Sequence, residues 1–418
     1  MSRPRALLPA LVLLTAGGAS RAAVAQDAAP AAPSGGPPLE TRPPNNPNQR
    51  PAFAGQTRAP SVASHVAFDV TVVAKGLEKP WAVEPLPGGD LLVTEKPGRL
   101  RIVSAAGAVG APIAGVPAVD ARGQGGLLDV ALSPGFATDR TIFWSFSEPR
   151  PGGGNATSVG RGVLSADRAR LDSVRVILRA EPAYDGDKHF GSRLAFGPDG
   201  MLYVTLGERS DTPMRPQAQQ LDSDMGKILR VRPDGTPAPG NPFAGRAGAR
   251  PEIWTLGHRN VEASAFDPQG RLWVVEMGTR GGDELNLIER GKNYGWPLAA
   301  YGIEYAGPPI SSALGPAANT RPGTEQPVYY WDPVIAPSGA QFYTGAAFPQ
   351  WRGSLFVGAL KEKRLVRLTI AGGRVTGEEH LLVDRGQRVR DVRQGPDGAL
   401  YVVTDDAKGE LWRIAPRR

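Results

Sequence analysis

One phrase recurs six times along the 418 residues and narrows what the chain can fold into. An apolar run meets a tight turn built from Pro, Asp and Gly, and a second apolar run follows. The first three copies are Trp81–Val93 around Pro87-Gly88-Gly89-Asp90, Leu127–Phe146 around Ser133-Pro134-Gly135, and Leu194–Leu206 around Pro198-Asp199-Gly200. The others are Ala265–Val275 around Pro268-Gln269-Gly270, Phe342–Val357 with a looser Phe348–Gly353 turn, and Val392–Val403 around Pro396-Asp397-Gly398. Proline presets φ, aspartate bonds its own backbone and glycine accepts positive φ, so two strands reverse tightly. The flanks, Met201–Leu206 for example, carry the apolar, aromatic and β-branched residues of strands.

Six hairpins about 45–80 residues apart predict radial repetition. The expected fold is all-β: a six-bladed β-propeller with one four-stranded antiparallel blade per hairpin. A β-sandwich explains the strands but not the recurring phrase. The unequal spacing implies long loops between some blades, where sites usually sit. No capped amphipathic helix longer than about three turns is apparent.

The ends set the compartment. Arg3 and Arg5, the apolar stretch Ala6–Ala19 and the small residues Ala23-Val24-Ala25 read as a signal peptide over residues 1–25. The apolar stretch is too short to span a bilayer comfortably, so the mature chain is expected to have no membrane span and a periplasmic or secreted location. Residues 26–62, rich in Pro, Ala, Gly and Asn, read as a flexible tail, and residues 63–418 as the propeller. There is no cysteine, which excludes disulfides, thiolate metal sites and a cysteine nucleophile. The net charge of +7 is dispersed, with no lysine-rich run or basic helix, which argues against a nucleic-acid partner.

Of four histidines, His65 and His380 read as surface or packing residues, and His258 is divided between site and scaffold. His189 lies just before the strand entering the third hairpin, a natural place for a general base at a propeller channel. Further polar, glycine-bearing segments are Gly123–Gly126, Gly257–Asn260, Glu276–Glu284, Leu360-Lys361 and Arg388–Asp391. Together they supply cations and an acidic glycine loop whose carbonyls and Glu284 suit a hard cation, although the loop lacks EF-hand spacing.

Six motifs in colinear order resemble the glucose/sorbosone dehydrogenase family, in particular its soluble aldose sugar dehydrogenase branch. They are Gly123–Asp129, His189–Arg193, Gly257–Asn260, Asp283–Leu287, Asn293–Pro297 and Arg388–Asp391, within a likeness that runs from Leu77 to Ile414. The resemblance implies oxidation of an aldose at C1 to the lactone, with pyrroloquinoline quinone (PQQ) and Ca²⁺ as cofactors and electrons passed to an unidentified acceptor. It implies His189 as the base taking the anomeric hydroxyl proton while hydride passes to the quinone, and Arg259 as the cation that polarises the accepting carbonyl. Gln124, Asn260, Lys361, Arg388 and Arg390 match cofactor-binding positions. Gly278 and Thr279 match carbonyl ligands of the calcium beneath PQQ, and Glu284 and Tyr294 match ligands of a second, structural calcium.

Departures from the family pattern are visible too. Lys188 stands where the glucose-specific branch has an acid, Glu208 matches a later acid with one more methylene, and dimerisation loops are missing around 296–302. These imply a broader aldose preference and a monomer. Two other functions compete: a calcium-dependent propeller lactonase, which would not need the cations at 361, 388 and 390, and a non-catalytic binding propeller.

Overall fold

In the computed structural model, which describes Met1 and residues 35–417, each recurrent phrase forms the first two strands of one of six sheets. Blade I has Pro80–Pro85, Leu91–Glu95 and Arg99–Val103, and blade II has Leu127–Leu132, Thr141–Pro149, Asn155–Leu164 and Leu171–Arg179. Blade III has Leu194–Phe196, Leu202–Thr205, Lys227–Val231 and Ile253–Leu256. Blade IV has Val261–Phe266, Leu272–Glu276, Asp283–Ile288 and Tyr329–Trp331, and blade V has Pro337–Phe342, Leu355–Ala359, Arg364–Ala371 and Arg374–Leu381. Blade VI joins Val389–Gln394, Leu400–Thr404 and Gly409–Pro416 to the N-terminal strand Phe68–Leu77, which closes the ring. The six-bladed propeller is thus the observed fold.

The turns work as their composition predicts. Asp199 and Asp397 accept the N–H two residues on, from Met201 at 3.0 Å and Ala399 at 3.1 Å. Gly200 and Gly398 take φ of +74° and +76°, in the left-handed region that glycine enters freely. The second strands are buried along their whole length in blades I, IV, V and VI, because each blade is covered on both faces by its neighbours. That explains their unbroken apolar runs, such as Leu272-Trp273-Val274-Val275. Six separate hydrophobic clusters fill the six interfaces, and the one between VI and I, with Val403 and Leu411 against Val83 and Val93, completes the circle.

A buried ionic axle ties the first strands together near the axis. Arg193, 1 % exposed, reaches Asp129 of blade II at 2.8 Å, Asp391 of blade VI at 3.1 Å and the Glu262 carbonyl of blade IV at 2.7 Å. Arg393 meets Asp391 at 3.0 Å, Glu84 of blade I at 3.4 Å and the Ala340 carbonyl of blade V at 3.4 Å. Arg193, which leads into blade III, and Arg393 of blade VI therefore bring all six blades into one network.

Residues 35–62 correct the expected flexible tail. Gly36–Pro38 pairs with Pro60–Ser61, and Ser61 pairs in parallel with Glu378 on the edge of blade V. The Asn45 and Asn46 N–H groups donate to the Asp332 carboxylate at 2.6 and 3.1 Å, and Asn46 Nδ2 donates to the Tyr301 carbonyl at 2.9 Å. The segment docks mainly through amides and backbone, with small Ala59 as its contribution to a hydrophobic cluster, so apolar patterning gives little sign of it. Its central tie is fully buried Gln56, whose Nε2 donates to the Pro327 carbonyl at 2.9 Å while its Oε1 accepts from Tyr301 Oη at 3.0 Å. Gln56→Ala is expected to cost about 1–3 kcal/mol through the partners left unpaired, read as a lower unfolding midpoint. The expected signal peptide lies outside the described residues apart from Met1.

Candidate active site

Residues 186–193 lead into blade III without regular structure, and His189 sits among them at φ +50°. Its ring is buried, with Nδ1 2.6 Å from Oε2 of Glu208. Glu208 follows the second strand of blade III, accepts the Ser210 N–H at 3.0 Å and donates its own N–H to the Arg259 carbonyl at 2.9 Å. Burial works against a charge on Glu208, but the neighbouring His189 and Arg259 outweigh it and hold the carboxyl below its usual range. Burial, aided by Arg259 and against the pull of Glu208, pushes His189 below the ordinary 6.5. A neutral imidazole beside an ionised carboxylate carries its hydrogen on Nδ1, which leaves Nε2 with a bare lone pair.

A cavity of about 490 Å³ is lined by the cations Lys79, Lys96, Arg388 and Arg390, by the acids Glu262, Asp405 and Asp406, and by Trp81 and Gln124, with Met277, Ala336 and Leu360 as apolar surface. Gln124 joins wall to base, since its Oε1 accepts the His189 N–H at 2.7 Å. Arg388 pairs with Asp405 at 2.6 Å, and Arg390 with Asp405 at 3.0 Å and Glu262 at 3.3 Å. The two arginines are thus oriented in advance by acids that share the cavity lining with them. Lys361 is exposed, follows the wall residue Leu360 and makes no ion pair among the described residues. Lys79 and Lys96 were not anticipated. Lys96 Nζ donates to the Gly123 carbonyl at 2.6 Å, and burial together with Arg390 lowers its pKa. Each is a single lysine beside an apolar strand, which no motif marks.

Met277 also borders a second cavity, of about 20 Å³, shared with Arg259, Glu276, Gly278, Thr279, Glu284, Tyr294 and Trp296. That volume suits one water molecule or one ion. Three polar atoms of lining residues are buried without a partner, Thr279 Oγ1, Trp296 Nε1 and Arg259 Nε, as is Oδ1 of Asn286, whose amide is bonded to Glu284. Burial and the charge of Glu276 raise the Glu284 carboxyl well above its usual range, although Asn286 Nδ2 donates to both acids, at 2.9 Å to Glu276 and 3.2 Å to Glu284. Orphaned oxygens beside paired carboxylates fit a hard cation. Among the described residues no three His, Cys, Asp or Glu side chains converge as a metal site, so backbone carbonyls would complete the ligand set.

Several expected site residues have a narrower place than the sequence suggests. The Tyr294 hydroxyl donates to the Leu287 carbonyl at 2.8 Å and accepts the Glu289 N–H at 2.8 Å, which leaves its carbonyl rather than its phenol for a ligand. Asn260 is fully buried, its Oδ1 accepting the Gly191 N–H at 3.0 Å and its Nδ2 donating to Glu262 at 2.9 Å, so it braces the site from behind. Arg259 donates through Nη1 to the carbonyls of Met277, at 2.9 Å, and Gly278. His258 is scaffold: it is fully buried between Thr255 and Glu276 and stacked on Tyr294 at 4.8 Å.

A propeller with a carboxylate-backed imidazole tied through Gln124 to a cavity rich in charged side chains fits an oxidoreductase of the quinoprotein sugar dehydrogenase class, and the comparisons agree. Residues 77–413 match the family described as Glucose / Sorbosone dehydrogenase. The aldose sugar dehydrogenase YliI of Escherichia coli is 45% identical over 357 residues, covering 85% of this chain and 95% of its own. The crystal structure of the soluble aldose sugar dehydrogenase from E. coli in the apo-form superposes with a TM-score of 0.80 at 44% identity, covering 84% of this chain and 100% of that one. The PQQ-bound form of aldose sugar dehydrogenase from Streptomyces coelicolor gives 0.67 at 32% identity, over 84% and 100%. The chain belongs to the glucose/sorbosone dehydrogenase family.

Proposed function

We propose that the protein oxidises aldoses at C1 to lactones with PQQ and Ca²⁺ and passes the electrons to a separate acceptor. The observation that carries this reading is the buried His189–Glu208 pair, tied through Gln124 to the cavity that presents Arg388 and Arg390. When bound, PQQ supplies a two-electron quinone acceptor. His189 Nε2 takes the proton of the anomeric hydroxyl, and Glu208 keeps the ring in the required tautomer and stabilises the imidazolium. Arg259 places a buried cation where negative charge develops. Arg388 and Arg390 bind carboxylates through their planar forks, with Lys361 at the rim and Gln124 beside them. Gly278, Thr279, Glu284 and the Tyr294 carbonyl would supply the donors for calcium. Among the described residues no helix is long and apolar enough to cross a membrane. We infer an exported, monomeric enzyme.

The test is reconstitution of the purified mature chain. Aldose-dependent dye reduction that needs both PQQ and Ca²⁺ is expected, and lactone opening without quinone would overturn the reading in favour of a hydrolase. Arg390→Ala is expected to weaken PQQ binding roughly 10–100-fold, the range for a lost charge-assisted hydrogen bond, measured by fluorescence titration. The pH profile carries a sign. The base works as neutral imidazole and its pKa is lowered, so activity is lost only as pH falls through a value below 6.5. An acid limb of kcat/KM above 6.5 would contradict this environment for His189.

A further inference from the structure

Next to Glu208 stands a cation that the chemistry above does not use. Arg209 is 1 % exposed, and its guanidinium is spent on the segment that carries His189. Nε donates to the Lys188 carbonyl at 3.0 Å, Nη1 to the Asn155 carbonyl at 3.0 Å, and Nη2 to the Gly186 carbonyl at 2.7 Å and Asn155 Oδ1 at 2.6 Å. The face of the same group lies 4.2 Å from the Phe190 ring centroid. The residues immediately before and after His189 are therefore both held by one side chain.

The segment needs such a hold. His189 and Ser192 take φ of +50° and +93°, and Arg209 and Ser210 take +74° and +71°. Each non-glycine residue there costs on the order of 1–3 kcal/mol, which surrounding structure must offset. Arginine is suited to this, since its fork makes several directed bonds with little further loss of freedom. Burial lowers its pKa to about 10, so it stays charged at neutral pH.

We propose that Arg209 is a positioning residue for the proton-accepting imidazole, holding the backbone before His189 and the Phe190 ring after it while Glu208 fixes the histidine ring. The proposal rests on His189 being the base. Misplacing a reacting group by about 1 Å can cost ~10²-fold in rate. Arg209 lies outside the cavity lining, so its loss should fall on kcat and leave PQQ binding alone.

The experiment compares Arg209→Gln, Arg209→Lys and His189→Ala in the full mature chain. Three readouts are steady-state kinetics, PQQ affinity by fluorescence titration and histidine titration by NMR. The chain has four histidines, so the His189 signal is identified by its absence in His189→Ala. The charged groups around that imidazole are Glu208, Arg209 and Arg259, with Asp187 and Lys188 on its own segment. Arg209→Gln is expected to lower kcat about 10–100-fold, with KM and PQQ affinity little changed and the imidazole titrating at higher pH. Arg209→Lys keeps the charge without the fork, so kcat falls less and the titration stays put. Wild-type kcat in Arg209→Gln overturns the proposal, as does parallel loss of PQQ binding and unfolding midpoint in both variants. If Arg209→Gln does not fold, wild-type kcat in Arg209→Lys overturns it alone. Turnover retained in His189→Ala would defeat the base assignment itself, and the proposal with it, on a separate variant.

Discussion

His189→Ala should lower aldose-dependent dye reduction by roughly 10²–10⁴-fold, the range for loss of a positioned general base, while PQQ binds with near wild-type affinity. The argument is local. His189 is the one histidine set against an ionised, buried carboxylate with its other nitrogen unpartnered among the described residues, whereas His258 has both ring nitrogens occupied. The cations assigned to the cofactor, Arg388 and Arg390, are held by Asp405 and Glu262 and do not touch the imidazole. Removing the ring should therefore separate chemistry from binding. Unchanged turnover would take His189 out of its role, and lost PQQ binding would mean that the imidazole supports the cavity instead.

The second large effect should fall on stability. Asp391→Ala removes the carboxylate that both Arg193 and Arg393 reach, at 3.1 and 3.0 Å, in a position fully shielded from solvent. Breaking a buried pair from one side leaves an uncompensated charge and costs about 3–5 kcal/mol. Here the Val83 N–H, which donates to the same carboxylate at 3.1 Å, is orphaned too. The expected result is a marked drop in unfolding midpoint by calorimetry, for a residue with no part in the chemistry. A shift of under about 1 kcal/mol, the level of an exposed ion pair, would show that the axle is dispensable.

Asp391 also shows what the sequence could and could not tell. It ends the Arg388–Asp391 motif, as Asp129 and Arg193 end two others, and spacing alone makes such residues look like one site. In three dimensions each motif divides. Gln124, Arg388 and Arg390 line the cavity and His189 bonds to Gln124, while Asp129, Arg193 and Asp391 meet on the axis. The hairpins were legible because Pro, Asp and Gly act within four residues. The division of the motifs was not, because a strand's alternation shows which residues share a face but not which blade lies opposite. Residues 35–62 escaped notice for another reason: their anchors are Asn46, Gln56 and main-chain groups, polar choices that a disordered tail would also contain.

The joining of Phe68–Leu77 to Gly409–Pro416 has a consequence for biogenesis. An early strand of the propeller must wait until Gly409–Pro416 has been made, so the sixth sheet is completed only after the other five have been synthesised. Until then Phe68–Leu77 offers unpaired main-chain groups that invite wrong partners. Truncation after residue 408 should thus yield an aggregating product rather than a five-bladed remnant. A chain passed through a membrane unfolded and released whole on the far side would avoid that interval.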